Sequence, residues 1–185
     1  MNELRSSLSF TDGRLTIISG GQTGVDRAAL DSALHLGVPV AGWCPNGRRA
    51  EDGPIPRKYP LQETDSWNYA IRTEWNVRDS DGTLVIVRDE ISGGTKLTIK
   101  LAHQHDKPYL VIRLRNLVSG KTSLTVDAPA VVDWIVRGRI RVLNVAGPRN
   151  SSDGLIYAEA RQFCDEVFSV LVATTADMYG PSEKK

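Results

Sequence analysis

The chain has 185 residues, 41% hydrophobic and 24% charged, with a formal net charge of +1. That length suits one domain with a sizeable core, and the balanced charge excludes a global field for nucleic-acid binding, leaving only local basic patches. No apolar run reaches the ~18 residues a membrane helix needs, Met1 to Phe10 lacks the apolar stretch of a secretory leader, and Cys44 and Cys164 have no paired spacing, so the expectation is a cytoplasmic protein with reduced thiols.

Residues 15–19 form a short apolar run that reads as a buried strand. Gly20-Gly21-Gln22-Thr23-Gly24 follows, then an apolar-periodic segment over 25–36 that reads as a helix. A helix start leaves backbone N–H groups without intrahelical partners, and its dipole favours negative charge, so strand, glycine turn and helix make an anion cradle. Asp26 stands three residues after Thr23, a capping-box-like spacing, so it either bonds back to the helix start or faces a ligand. Arg27 points either to that ligand or to solvent. His35 suits the C-terminal dipole position of the same helix.

A second strand is expected over 39–43, and then Trp43 to Thr64 form a connection rich in glycine and proline. Connections of that length are uncommon in compact domains and often functional. This one carries Arg48, Arg49, Arg57 and Lys58 against Glu51 and Asp52. It reads either as a solvated loop of balanced charge or as a wall of arginine forks for an anionic group. Cys44 is either a thiolate near arginines or an inert buried residue, and Trp43 either packs or stacks on a planar ring. A polar helix over 66–77 shows Trp67, Ile71 and Trp75 at core spacing, with Arg72 and Asn76 free to face a pocket or a neighbouring subunit.

Further strands are expected over 83–88, 108–114 and 141–146, and helices over 95–105, 128–138 and 155–170. Ser92-Gly93-Gly94-Thr95 follows one strand, and Gly147-Pro148-Arg149-Asn150-Ser151 follows another. Thr95 also suits a plain N-cap or first-turn position, and Ser152 and Asp153 suit the cap of the last helix. His103 and His105 are too close in sequence to share a helix face, and no metal-ligand cluster is apparent. Cys164 lies beside the core stripe of the last helix and reads as a packing residue. Residues 116–125 read as a surface loop, and the polar tail 179–185 as disordered.

Strands alternating with helices imply an α/β domain with a mainly parallel sheet of about five or more strands and helices on both faces. The whole chain, 1–185, is expected to be one such three-layer, Rossmann-like domain, with its core at about 14–170. Right-handed crossovers put the three glycine loops at one sheet edge, where ligands of such folds bind. Arg149, directly after Gly147-Pro148, is placed there to meet a phosphate.

The ordered set Gly20-Gly21-Gln22-Thr23-Gly24-Val25-Asp26-Arg27, Gly42-Trp43-Cys44-Pro45, Arg49-Ala50-Glu51-Asp52-Gly53, Arg72-Thr73-Glu74, Asn76-Val77-Arg78-Asp79-Ser80-Asp81, Gly93-Gly94-Thr95 and Leu143-Asn144-Val145-Ala146-Gly147-Pro148-Arg149 resembles the molybdenum-cofactor carrier-like family. The resemblance covers roughly residues 14–170. It implies membership of a Rossmann-like superfamily of nucleotide-sensing and nucleotide-processing proteins that includes the lysine-decarboxylase-like phosphoribohydrolases. It also implies a cytosolic homo-oligomer, a dimer or tetramer, and a phosphorylated small-molecule ligand such as molybdenum cofactor or a nucleotide. In the related hydrolases a Pro-Gly-Gly-x-Gly-Thr-x-x-Glu loop supplies a catalytic Glu. Here Thr98 takes that place, and a threonine is not a general acid or base near neutral pH.

The resulting expectation is a binding or carrier protein without a required cofactor, a catalytic residue or a metal site. Its ligand set is Gly20, Gly21, Gln22, Thr23, Gly24, Asp26, Arg27, Trp43, Arg49, Asp52, Gly93, Gly94, Thr95, Thr98, Gly147, Pro148, Arg149, Asn150 and Ser151. The alternatives are a nucleotide hydrolase, with Asp26, Glu51, Asp52 or Glu74 in place of the missing carboxylate, and a nucleotide-sensing regulatory module.

Overall fold

The computed structural model describes residues 15–88, 90–116, 122–124 and 128–179. Its elements, in chain order, are β1 (Thr16–Ile18), α1 (Val25–His35), β2 (Val40–Ala41), β3 (Trp43–Cys44), a 3-10 turn (Asn46–Arg48), β4 (Arg49–Ala50), β5 (Gly53–Pro54) and β6 (Gln62–Glu63). There follow α2 (Tyr69–Asp79), β7 (Gly82–Val87), α3 (Gly93–Gln104), β8 (Tyr109–Asn116), β9 (Thr122–Leu124), α4 (Ala128–Arg137), β10 (Val142–Ala146) and α5 (Ile156–Tyr179).

The main sheet runs β2-β1-β10-β7-β8-β9. The first five strands are parallel, with registers such as Ile17↔Leu143 and Val145↔Leu84. Only β9 runs antiparallel, against β8. Successive side chains alternate between the sheet's faces, and the core divides accordingly. Ile17, Leu84, Ile86, Leu143 and Val145 join Ala29, Val131, Phe163 and Phe168 of α1, α4 and α5 in one large cluster. On the other face Ile18 and Val142 meet Trp43 and Trp75, while Val77 of α2 packs on Leu101 and Ala102 of α3. The expected α/β architecture, a mainly parallel sheet with helices on both faces, is therefore present.

The second strand differs from its expected form. In place of the expected single strand over 39–43, β2 ends at Ala41 and β3 leaves the main sheet to pair with β6. Gly42 is the reason: its φ is 136°, and a Cβ there would lie 2.2 Å from the Ser19 carbonyl oxygen. The chain turns off the sheet against the end of β1, a close approach that only glycine permits. The long connection after it is consequently not structureless, but holds β3, the 3-10 turn, a β4–β5 hairpin and β6.

Smaller corrections concern element ends. α2 starts at Tyr69, capped by Asn68, whose side chain accepts from Ala70 N. α3 begins at Gly93, and α5 continues nine residues past the expected Val170, to Tyr179. The presumed loop over 116–125 includes β8's last residue and the edge strand β9; residues 117–121 and 125 lie outside the described residues, as do 180–185 of the presumed tail.

Phe168 is wholly buried among α1, α4, α5 and the sheet. Phe168→Ala is expected to lower unfolding stability by about 3–5 kcal/mol through lost burial and a residual cavity, as read by urea denaturation. A loss below about 1 kcal/mol would contradict this packing.

Candidate functional site

β1 is flanked by β2 on one side and β10 on the other, and α1 and α2 leave on opposite faces of the sheet. The crevice at the carboxyl ends of β1 and β10 is therefore where an open α/β sheet receives a ligand. Polar residues are concentrated there: Ser19, Gln22, Thr23, Asp26, Asn76, Thr95, Thr98 and Asn144 are all buried. A small recess at this edge is lined by Gly20, Asp26, Arg72, Thr73, Asn76, Thr98, Asn144, Val145 and Ala146, with room for about one water.

Asp26, in the first turn of α1, accepts from Gln22 N at 3.2 Å and from Arg72 Nη1 at 3.0 Å. The side chains of Arg72 and Asp26 are 14% and 5% exposed. Burial pushes the Asp26 carboxyl up, against the pull of the Arg72 charge and the Gln22 N–H. Gly20 makes room for this pair, since a Cβ there would sit 1.5 Å from Arg72 Nη1. Arg72 Nε is buried without a hydrogen-bond partner among the described residues. A buried donor in that condition calls for an explanation, because burying it unpaired costs free energy.

The first glycine loop and the start of α1 spend several backbone donors internally. Gln22 N goes to Asp26, Thr23 N to Gln22 Oε1 at 3.0 Å, and Val25 N to the Pro148 carbonyl at 3.1 Å. Gly24, at the start of α1, packs directly against Pro148 and Arg149. Thr95 N bonds to the Ser92 carbonyl, and Thr98 donates its hydroxyl to Gly94 O at 3.0 Å. Gly93 and Gly94 face open space, whereas Gly147 presses against the Ile86 carbonyl and Val25. The expected cradle of helix-start N–H groups is thus satisfied in part by the protein itself.

Side-chain donors meet instead between the first and third loops. Thr23 and Ser151 each give a hydroxyl to the Glu51 carboxylate, Ser151 N donates to it at 3.1 Å, and Arg149 Nε lies 3.5 Å away. Asn150 N donates to Thr23 Oγ1 at 3.2 Å. Although partial burial opposes its charge, the Ser151 and Thr23 hydroxyls, the Ser151 N–H and Arg149 hold the Glu51 carboxyl below its usual range. The neighbouring Asp52 takes both Nη atoms of Arg27, at 2.6 and 2.8 Å, while Arg27 Nε donates to Gly21 O. That bidentate pair likewise keeps Asp52 low.

Other expected residues lie elsewhere. Trp43 is buried, edge-on to Trp75 at 4.7 Å between centroids, with its indole N–H on Asp79 at 2.8 Å. Its ring is a packing element and presents no free face to a ligand. Asn76 clamps the Trp43 backbone at both N and O. Arg49 stands on the hairpin with its guanidinium 5.9 Å from the ring of Trp67, which is 69% exposed. Arg48, one of the presumed anion forks, turns inward onto the carbonyls of Ile55, Pro56, Tyr59 and Leu61. Lys58 pairs with Asp31. Burial raises the Cys44 thiol, more than Arg48 lowers it, which favours the inert reading of that cysteine. Asp153 caps the turn before α5, accepting from Leu155 N.

Glu51, Arg72 and Asn144 were absent from the expected ligand set, yet all lie at this edge. Asn144 had a legible signal, a lone amide inside the apolar run of β10, where it donates to Thr83 Oγ1 at 3.2 Å.

The chain matches the sequence profile of the circularly permutated YpsA SLOG family over residues 17–168. It also resembles a solved structure, the putative molybdenum carrier protein from Syntrophus aciditrophicus SB. Identity is 41%, 86% of this chain and 96% of that chain are covered, and the TM-score is 0.72. No match was found among curated proteins.

Removing one member of a buried ion pair strands the other. Asp26→Ala, which leaves Arg72 buried without its carboxylate, is expected to cost about 3 kcal/mol of unfolding stability. Adding Arg72→Met should recover part of that loss in chemical denaturation; a double variant less stable than Asp26→Ala would refute the account.

Proposed function

Since the chain belongs to the circularly permutated YpsA SLOG family, we propose that it is a binding protein for a phosphorylated, anionic small molecule, held at the carboxyl edge of β1 and β10. The observation that carries this reading is the buried Arg72 Nε–H, which has no acceptor among the described residues and belongs to a side chain that lines the polar recess. A ligand oxygen would supply one. Thr23, Ser151 and Arg149 would add a charge-assisted donor set a short way along the same edge.

The neighbour's name as a molybdenum carrier makes molybdenum cofactor the first ligand to consider, because it joins a phosphate to a molybdenum oxyanion head. Nucleotides are the second. Trp67, rather than Trp43, is the exposed aromatic available to a planar ring, with Arg49 beside it. Binding is favoured over cleavage by the chemistry at hand. Thr98 is committed to Gly94 O, and the Asp26 and Glu51 carboxylates are each held by several donors. The resemblance also carries a cytoplasmic homo-oligomer into this proposal. Among the described residues no helix is long and apolar enough to cross a membrane.

Calorimetry with a phosphorylated pterin and a panel of nucleoside monophosphates tests the reading, alongside mass spectrometry of small molecules that co-purify with the native protein. Saturable binding is expected, and Arg149→Ala should weaken it about tenfold, the effect of losing one charge-assisted contact. Absence of binding to every member of the panel would sink the proposal.

A further inference from the structure

The donors gathered from Thr23, Arg149 and Ser151 already hold an anion, and it belongs to the chain. Glu51 sits at the tip of the β4–β5 hairpin, and its side chain is 18% exposed. Two hydroxyls, one backbone N–H and one guanidinium converge on its carboxylate. That set matches what a phosphate or carboxylate group of a ligand would require. We propose that Glu51 is a tethered occupant of this oxyanion subsite, and that an anionic ligand binds by displacing it as the hairpin lifts. The inference rests on the reading that this sheet edge receives an anion, and adds how access to it is controlled.

The surroundings confine the movement to the hairpin. Its base is fixed on both sides: Ile55 is buried, Ile55 N bonds to Arg48 O at 2.7 Å, and the Arg48 guanidinium cages the carbonyls of Ile55, Pro56, Tyr59 and Leu61. The hairpin itself has only two residue pairs, Arg49↔Pro54 and Ala50↔Gly53, and a ribbon that short has little stability of its own. Ala50 packs against the buried cluster around Ile55 and Leu61, while the tip beyond it is latched by polar contacts. Glu51 N donates to Gln22 Oε1 at 3.0 Å, and Asp52, 50% exposed, pairs with Arg27. This pair is bidentate, but Asp52 stands half in solvent, which screens the attraction and leaves the carboxylate free to exchange it for water. Exchange also leaves no donor stranded, because the ligand satisfies the groups that Glu51 releases.

Titrating inorganic phosphate into the wild type, Glu51→Ala and Asp52→Asn by calorimetry tests this, with thermal melts confirming that each variant folds. Glu51→Gln, which keeps the shape and removes the charge, replaces the alanine variant if that one is unstable. Removing the internal competitor should tighten phosphate binding by about tenfold or more. Asp52→Asn, which loosens the latch and keeps the Glu51 carboxylate, should fall between. In the wild type, saturating phosphate should speed hydrogen exchange of the amides at 49–53. Equal or weaker phosphate binding by Glu51→Ala overturns the tethered-occupant inference and leaves the ligand-binding reading standing. Failure of every form to bind phosphate removes the subsite itself; binding of a phosphorylated pterin or nucleotide would still uphold the broader reading.

Discussion

Arg72 lies on the backbone of Gly20 and reaches Asp26 across the carboxyl end of β1. This one buried ion pair ties α1, on one face of the sheet, to α2, on the other. Taking both charges out of water is costly, and the pair is tolerable because Asp26 also accepts the Gln22 N–H. Its position sets what the edge can do. The carboxylate takes Nη1 of the guanidinium, and Nε is left without an acceptor among the described residues, on a side chain that lines a polar recess. The close approach of chain and side chain at Gly20 and Gly42 thus serves the same crevice: one glycine admits Arg72, and the other swings β3 off the sheet to begin the long connection.

A glycine loop ahead of a helix is usually read as a set of free N–H groups. Here much of that set is consumed within the protein, by the Gln22 side chain, by Asp26 and by the Pro148 carbonyl. The first and third loops are thereby locked together, and at their junction two hydroxyls and a guanidinium gather around the Glu51 carboxylate. This arrangement separates two roles. The backbone of Gly20 to Val25 builds the edge, and Thr23, Arg149 and Ser151 hold the Glu51 carboxylate beside it. The long connection then acts on that junction from outside, with Arg48 and Ile55 as its fixed part and the hairpin carrying Glu51 and Asp52 as its reaching part.

Much of the fold was legible because its signals are local. Parallel strands covered on both faces read as short continuous apolar runs, as in Thr83–Val87 and Val142–Val145, and the helices between them show one apolar stripe each. What escaped were the two-residue strands of the long connection, too short to carry a period, and the edge strand β9, whose pairing with β8 is a property of the partner. The candidate edge was also legible, since alternating α/β order forces the three loops together. Its chemistry was not. Whether Trp43 packs or stacks was open in the sequence, and the contacts of Asp79 and Trp75 decide for packing; Glu51, readable as a solvated charge or as a substitute carboxylate, is fixed by donors from two remote loops.

By itself the sequence determined the order of elements, the side of the sheet on which the loops meet, and the family to which the chain belongs. Periodicity, glycine placement and motif order are all contained within short stretches of chain. Only the tertiary structure decided which polar groups at that edge are spent and which face the recess. Hydrogen-bond satisfaction is settled between partners remote in sequence, Thr23 with Asn150 at a separation of 127 residues and Glu51 with Ser151 at 100. No local pattern encodes whether a donor there will find its acceptor inside the protein or in a ligand.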